Sequence, residues 1–369
     1  MNTPHPFTAA ILTWFAENRR DLPWRHTRDP YAIWLSEVIL QQTRINQGMD
    51  YWLRFMKQWP TVQELAAASE DEVLRMWQGL GYYSRARHLH EAARQIVDYG
   101  EFPHSFDEIC KLKGVGNYTA AAIASIAFGL PVAVVDGNVY RVLARVFGID
   151  TPINSTEGKR TFAELAQSLL PETEPSDYNQ AMMDFGAIQC TPASPRCLLC
   201  PLTESCEALR QNKIDTLPVK LKTTKVKTRH LNYIYIRCKG ETAIHRRTSG
   251  DIWQGLWEPL LYEEQSKEED VQASEKKSPT EHHASSGRQS PTEHLISGEE
   301  RNMLNNPALQ LLRKNVKHVL THRILLADFY LLEVTEKPTL PPDFIWIPEA
   351  DIDKYALPRL IELLLDALP

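Results

Sequence analysis

Apolar residues recur at three- and four-residue spacing through the first half of the chain and alternate in the second half. In "PTVQELAAASEDEVLRMWQGL", Val62, Leu65, Ala66, Val73, Leu74 and Trp77 fall on helical spacing. Ser69 with Glu72 three residues later is a capping-box pattern for the helix that follows. Comparable patterns predict helices over 31–45, 84–98, 117–129, 137–147 and 157–170. Strand signals are scarce there, so 1–210 reads as all-α. Beyond it, "HLNYIYIRC", "RILLADFYLLEV" and "DFIWIP" alternate and are rich in β-branched and aromatic residues, which predicts strands. The terminal "LPRLIELLLDALP" predicts a helix, so 230–369 reads as an α+β domain. Between its strands lies 263–305, rich in Ser, Glu, Lys and His, with "SPTEH" at 278–282 and again at 290–294. Such a composition cannot bury a core and predicts a disordered insertion.

A chain of 369 residues has room for two domains, and 43% hydrophobic with 24% charged residues is ordinary for a soluble globular protein. The net charge of −6 would oppose a nucleic-acid partner if it were spread evenly. It is not. Residues 211–230 hold six basic residues against one acid, whereas 263–305 hold five basic and ten acidic. Local patches therefore matter more than the total. The stretch 211–229 reads as a basic interdomain linker. No signal peptide or apolar membrane span is evident, and a cytoplasmic location is expected.

Four of the six cysteines cluster as Cys190, Cys197, Cys200 and Cys206 in "CTPASPRCLLCPLTESC", with spacing C-x6-C-x2-C-x5-C. Cys110 and Cys238 are isolated. In a reducing compartment such a cluster reads as a metal site. Structural zinc usually shows two separated Cys-x2-4-Cys pairs. One short pair flanked by two single ligands suits a [4Fe-4S] cluster at least as well, and spacing alone leaves both open.

"LKGVGNYTAAAIASIAFG" places Gly114 and Gly116 in a tight turn between two helical patterns. Glycines there let backbone N–H groups approach an anion at the start of a helix. This is the helix-hairpin-helix pattern. Asp136, in "AVVDGNVYR", follows twenty residues after Gly116, where an acid before Gly-Asn commonly caps a helix. The ordered combination of Gly-x-Gly turn, Asp136 and cysteine cluster resembles the helix-hairpin-helix DNA glycosylase superfamily, endonuclease III branch. The sequence looks like the adenine DNA glycosylases of the MutY type over nearly its whole length, 263–305 excepted.

The resemblance implies a multidomain chain. An all-α helix-hairpin-helix glycosylase domain with an iron–sulfur loop (1–210) would be followed by an α+β, Nudix-like lesion-recognition domain (230–369). It implies excision of adenine mispaired with 8-oxoguanine or G in duplex DNA, by a monomeric bacterial enzyme associated with the nucleoid. "WLSEVILQQTR" supplies Glu37, the implied general acid, and the Gln42 and Thr43 of the family's QQT motif. Glu37 sits in a mostly apolar stretch, which favours a raised pKa. Asp136 would stay ionised beside the sugar cation, with Tyr118 and Asn138 orienting both carboxyls. Tyr118 stands where bifunctional relatives carry a Schiff-base lysine, so the chain should be monofunctional. Gln42 would fill the gap left by the flipped base, and Tyr82 would wedge beside 8-oxoguanine. Leu22, Trp24, Arg25 and Gln180 match adenine-pocket positions. "HVLTHR" aligns with the family's Phe-Ser-His loop, with Leu320 in place of phenylalanine, Thr321 of serine, and His322 matching the histidine. The four cysteines would hold one [4Fe-4S] cluster and so fix a loop that brings Arg196 to phosphate.

Three rivals fare worse. Tyr118 and the second domain oppose a bifunctional pyrimidine-lesion lyase. Retention of both Glu37 and Asp136 opposes a non-catalytic damage-binding module. A Nudix phosphohydrolase lacks its carboxylate box downstream of "WQGLWEPLLYEE".

Overall fold

Helices form where a cap precedes an apolar stripe, and the computed structural model, which describes residues 5–221, 226–264 and 306–369, follows that rule closely. Helix α1 spans Pro6–Asn18 and α2 spans Pro30–Leu40. Asp29 starts α2, its carboxylate accepting from the Tyr31 amide at 3.1 Å, and Pro30 supplies a preset φ at the first position. Tyr31–Ile39 are all buried, so α2 is a core helix and not an amphipathic one. The helix expected over 31–45 is broken in two. The buried Arg85 guanidinium donates to the carbonyls of Val38 at 3.0 Å, Ile39 at 3.2 Å and Gln41, taking up the orphan acceptors at the end of α2. Gln42 then turns the chain at φ +58°, and α3 (Ile45–Gln58) begins.

Helices α4 (Val62–Ala67) and α5 (Glu70–Trp77) follow. The Ser69–Glu72 capping box forms as expected, with the Ser69 amide 2.8 Å from Glu72 Oε2 and the Glu72 amide 3.2 Å from Ser69 Oγ. Then come α6 (Ser84–Tyr99), α7 (Phe106–Ile109), α8 (Asn117–Phe128), α9 (Gly137–Phe147), α10 (Thr156–Leu169), α11 (Pro175–Asp184) and α12 (Glu207–Arg210). Val142, Leu143 and Ala144 of α9 are fully buried against Ile11, Phe162, Ala181 and Phe185. Leu217 joins the same core, with Ile214 and Val219 packed on it. The described part of the expected linker is therefore used structurally: residues up to 219 close the helical core, and Lys227–Arg229 begin a strand.

By contacts the chain divides into two units, Met1–Met76 with Arg85–Thr223, and Trp77–Ser84 with Thr224–Pro369. The second unit is built on β1 (Lys227–Cys238), β2 (Glu241–Arg246), β3 (Trp257–Glu258), β4 (Leu260–Glu264), β5 (Leu309–Val319), β6 (Arg323–Val334) and β7 (Phe344–Pro348). Among the described residues these form one mixed sheet in the order β3-β2-β1-β6-β5, with β4 on β1 and β7 on β2. The central strand β1 runs parallel to β6 and antiparallel to β2 and β4. Its period of two splits its side chains between two cores. Leu231, Tyr233 and Tyr235 meet Phe329 and the closing helix α13 (Arg359–Leu365), whereas Ile234 and Ile236 meet Leu260 and Tyr262. The sequence anticipated β1, β6, β7 and α13. The insertion expected at 263–305 starts too early, because Glu263 and Glu264 pair with β1 as the end of β4; its remainder, 265–305, lies outside the described residues. No helix among the described residues is long and apolar enough to cross a membrane.

Phe329 is fully buried in this second unit. Phe329→Ala should cost about 3–5 kcal/mol of unfolding free energy, read by urea titration. A loss below about 1 kcal/mol would mean that the sheet–helix core is not closed as described.

Candidate active site

Two carboxyls and a phenol from three elements of the first unit meet in a desolvated pocket. Glu37 sits in the buried run of α2 and is 8% exposed. Tyr118, in the first turn of α8, donates its hydroxyl to Glu37 Oε2 at 2.7 Å. Burial pushes the Glu37 carboxyl up to about 7, and the charge of Asp136 pushes the same way, against the Tyr118 hydrogen bond and the Arg25 charge. Burial and the Glu37 charge drive the Tyr118 phenol far above its ordinary range, so it is a neutral donor.

Asp136 caps α9, as its place before Gly-Asn suggested. Burial raises its carboxyl too, but three hydrogen bonds oppose that: from the Asn138 amide at 2.9 Å, the Val139 amide at 2.8 Å and Asn138 Nδ2 at 2.7 Å. Both carboxyls stand above their ordinary values, but Asp136 takes three hydrogen bonds, two of them from backbone amides, where Glu37 takes one. Asn138 is itself held: its Oδ1 accepts from Arg141 Nη2 at 2.9 Å. The same guanidinium donates to the carbonyls of Gly186 at 2.6 Å and Cys190 at 2.8 Å. Gly186 must be glycine, because a Cβ there would lie 2.5 Å from Asn138 Cβ. It sits in a π-helical turn (Phe185–Gln189) that leads from α11 into Cys190.

All four expected cysteine ligands line one cavity, with Phe185, Leu202, Leu209 and Ile214. Buried Arg145 supports the loop, donating to the carbonyls of Thr191 at 2.7 Å and Pro192 at 3.1 Å, with Nη1 3.5 Å from Cys190 Sγ. Burial pushes the Cys200 thiol up to about 11 and raises Cys197 and Cys206 as well. An all-sulfur donor set in an apolar cavity is the chemistry of a thiolate-bound centre, and metal binding would supply the charge that holds these groups deprotonated. No three His, Cys, Asp or Glu side chains among the described residues are grouped to grip a single ion.

The residues expected at an adenine pocket are buried or half-buried. Leu22 and Trp24 are buried, and Trp24 meets Trp52 edge-on at 5.7 Å. Arg25 is not free to contact a base with its whole guanidinium: Nη1 and Nη2 pair with Asp184 at 2.7 and 2.9 Å. Gln180 is buried and donates to Ser176 Oγ at 3.1 Å.

The expected DNA-facing residues sit on turns. Gly114 takes φ +72°, and a Cβ there would meet His88 Cβ at 2.6 Å; Gly116 caps α8. Thr43 follows Gln42, its hydroxyl donating to the Gln41 carbonyl at 3.3 Å. Gln42 and Tyr82 are both exposed, and both hold left-handed backbone, at φ +58° and +47°. Such conformations are costly outside glycine. Contacts group Tyr82 with the second unit, where its hydroxyl hydrogen-bonds to Thr321 Oγ1. Thr321 and His322 are exposed in the turn between β5 and β6, and the half-buried Leu320 packs on the core beneath.

Arg85, Arg141, Arg145 and Asp184, which hold these elements together, were not singled out from the sequence. The signal available for two of them was that Arg141 and Arg145 are the sole charged residues within α9, four apart in an apolar helix.

The Glu37 carboxyl has a linkage consequence. Its folded pKa of about 7 lies above the unfolded value near 4.5, so the native state holds the extra proton between those limits. Stability then falls as pH rises through that window and levels off above it. The melting-temperature advantage of Glu37→Gln over the parent should therefore grow from about pH 4.5 to about pH 7 and then stay constant. An advantage that does not change with pH would refute the raised carboxyl.

Residues 35–168 match the family profile described as HhH-GPD superfamily base excision DNA repair protein, and residues 232–367 match the NUDIX domain. The adenine DNA glycosylase of Mus musculus is 44% identical over 226 residues, which is 58% of this chain and 44% of that one. The chain spans less than half the length of the mammalian relatives that it matches. The adenine DNA glycosylase of Buchnera aphidicola subsp. Baizongia pistaciae (strain Bp) is 34% identical over 256 residues, covering 68% of this chain and 72% of that one. A solved thermostable thymine-DNA glycosylase superposes with a TM-score of 0.52 at 35% identity, covering 56% of this chain and 95% of that chain. The two profiles fall on the two folded units, and the Buchnera relative is matched over most of its length: the chain belongs to the adenine DNA glycosylase family, within the HhH-GPD superfamily.

Proposed function

We propose that this chain is a monofunctional DNA glycosylase that hydrolyses the N-glycosidic bond of adenine mispaired with 8-oxoguanine or G in duplex DNA. The observation that carries this reading is the unequal carboxyl pair. Glu37 is pushed up to about 7 in a buried site, beside an Asp136 tied down by three donors. Breaking a glycosidic bond to a base asks for one protonated acid and one carboxylate near a cationic sugar.

In the proposed reaction Glu37 gives its proton to adenine N7. The bond from C1′ to N9 breaks with its electron pair going to the base. Ionised Asp136 stabilises the oxocarbenium-like sugar, and water adds at C1′, returning a proton to Glu37. Tyr118 orients Glu37 through its 2.7 Å hydrogen bond and offers no amine for a Schiff base. Asn138 orients Asp136. The reaction needs the adenine flipped out of the stack, at a cost of a few kcal/mol that a mispair lowers. Exposed Gln42 and Tyr82 would fill and wedge the opened duplex, while Gly114 and Gly116 hold phosphate. Leu22, Trp24 and Gln180 would line the adenine pocket. Thr321 and His322 would read 8-oxoguanine, and the link from Tyr82 to Thr321 supports their joint use. Cys190, Cys197, Cys200 and Cys206 would hold a [4Fe-4S] cluster that fixes the 190–206 loop, and their shared lining of one apolar cavity supports this reading.

Glu37→Gln and Asp136→Asn should each slow single-turnover adenine release by at least about 10²-fold, with mismatch binding kept. Parent-like release in either variant would sink the assignment. Borohydride should trap no covalent adduct, and the product strand should stay unbroken until alkali is added. Efficient trapping would show that a lysine serves elsewhere. The purified chain should contain iron and acid-labile sulfide in equal amounts; stoichiometric zinc instead would replace the cluster reading with a zinc site.

A further inference from the structure

Strands β5 and β6 are joined by a two-residue loop. The Leu320 amide donates to the Arg323 carbonyl at 2.8 Å and the Arg323 amide to the Leu320 carbonyl at 3.4 Å, which leaves Thr321 and His322 between them. The flanking residues of so short a loop set where its side chains point. Leu320 is held by packing on the sheet–helix core. Arg323 is held by charge: its Nη1 donates to Asp251 Oδ1 at 2.5 Å. The His322 carbonyl is tied as well, accepting from the Lys227 amide at 3.1 Å where β1 begins.

Asp251 lies between β2 and β3 and gathers three guanidiniums. Oδ1 accepts from Arg229 Nη1 at 2.7 Å as well as from Arg323, and Oδ2 accepts from Arg247 Nη2 at 2.8 Å. Burial would raise this carboxyl, but the hydrogen bonds from Arg229 and Arg323 hold it well below its ordinary value, so it is a carboxylate. A lone exposed ion pair would hold little, whereas here three cations share one carboxylate that is 25% exposed. The three are not equivalent. Arg229 also pairs with Glu263, and Arg247 also pairs with Glu258 at 2.6 Å. Arg323 has Asp251 as its one carboxylate among the described residues. Loss of the Asp251 charge therefore releases Arg323 and leaves the other two paired.

We propose that Asp251 is a positioning residue for lesion discrimination: by tying down Arg323 it fixes the loop that presents Thr321 and His322, and so sets the preference for 8-oxoguanine over G opposite the adenine. The inference rests on the reading of Thr321 and His322 as the 8-oxoguanine reader. Asp251 and Arg323 act through that loop and not on the glycosidic bond, which is broken in the first unit at Glu37 and Asp136. Their removal should therefore lower discrimination and spare the chemistry.

The test is single-turnover adenine release by the full chain, at limiting enzyme, on duplexes with adenine opposite 8-oxoguanine and opposite G. In Asp251→Asn and in Arg323→Gln the ratio of the two rates should fall by at least about threefold, with the rate opposite G kept within about twofold of the parent. A merely structural role would lower both rates together and leave the ratio, and that outcome overturns the proposal. A second arm asks whether Arg323 acts through the loop. In a Thr321→Ala/His322→Ala background, Arg323→Gln should lower the ratio no further. A full further loss there would make Arg323 an independent contact and also overturn the proposal. Arg323 is 35% exposed, so Arg323→Gln carries the test alone if Asp251→Asn does not fold. The two failures can be told apart. A ratio unmoved by Thr321→Ala/His322→Ala defeats the reading of the loop as lesion reader, whereas a ratio lost there but unmoved in Asp251→Asn and Arg323→Gln defeats only the role of Asp251.

Discussion

A carboxyl that must carry a proton near neutral pH has to be kept from water, and the helical unit is arranged around that requirement. Glu37 lies within nine consecutive buried residues on α2, Tyr31–Ile39, and is itself only 8% exposed. Such a helix needs partners on every side. Around Glu37 stand Tyr118 in the first turn of α8, whose hydroxyl also lies 3.8 Å from Met183 Sδ, and Asp136 at the cap of α9. Desolvation is the largest influence on both carboxyls. The two differ in hydrogen-bond supply, since a capping position offers backbone amides and a mid-helix position does not.

Buried arginines do the joining. Arg85 ends α2 and so sets the turn from which Gln42 projects. Arg141 bridges Asn138 to the Gly186 and Cys190 carbonyls, and Arg145 holds the Thr191 and Pro192 carbonyls. The planar guanidinium offers five donors in a fixed fork and so reaches carbonyls spread along two segments, where lysine offers three from a single nitrogen. The cysteine loop and the α9 cap thereby share one hydrogen-bonded framework, so a disturbance of the loop would reach Asp136 through Asn138.

Much of this was legible in the sequence. Helices at 84–98, 117–129, 137–147 and 157–170 and strands at 230–238 and 323–334 carry their period in full, and the structure has them within a residue or a few. The cysteine spacing and the Asp136 cap are local patterns, so they were legible too. The break of 31–45 into two helices was not, because Arg85, which ends α2, lies some forty residues on. Strand β5 was missed because two register shifts, at Leu311/Arg313 and Arg313/Val316, interrupt its alternation with polar residues. Asp184 reads locally as an ordinary helix acid. Its partners Arg20 and Arg25 lie about 160 residues earlier, and no periodicity joins them. Arg25 was placed at the pocket by resemblance, but its pairing with Asp184 came only from the fold.

The central claim is that the fold keeps Glu37 protonated far above the ordinary carboxylate range. The direct measurement is an infrared pH titration of the intact protein, taken as the parent-minus-Glu37→Gln difference in the protonated-carboxyl band. The account expects that band to persist through weak acid and to disappear with a midpoint of about 7. Its loss near 4, where an unperturbed carboxyl ionises, would contradict the account.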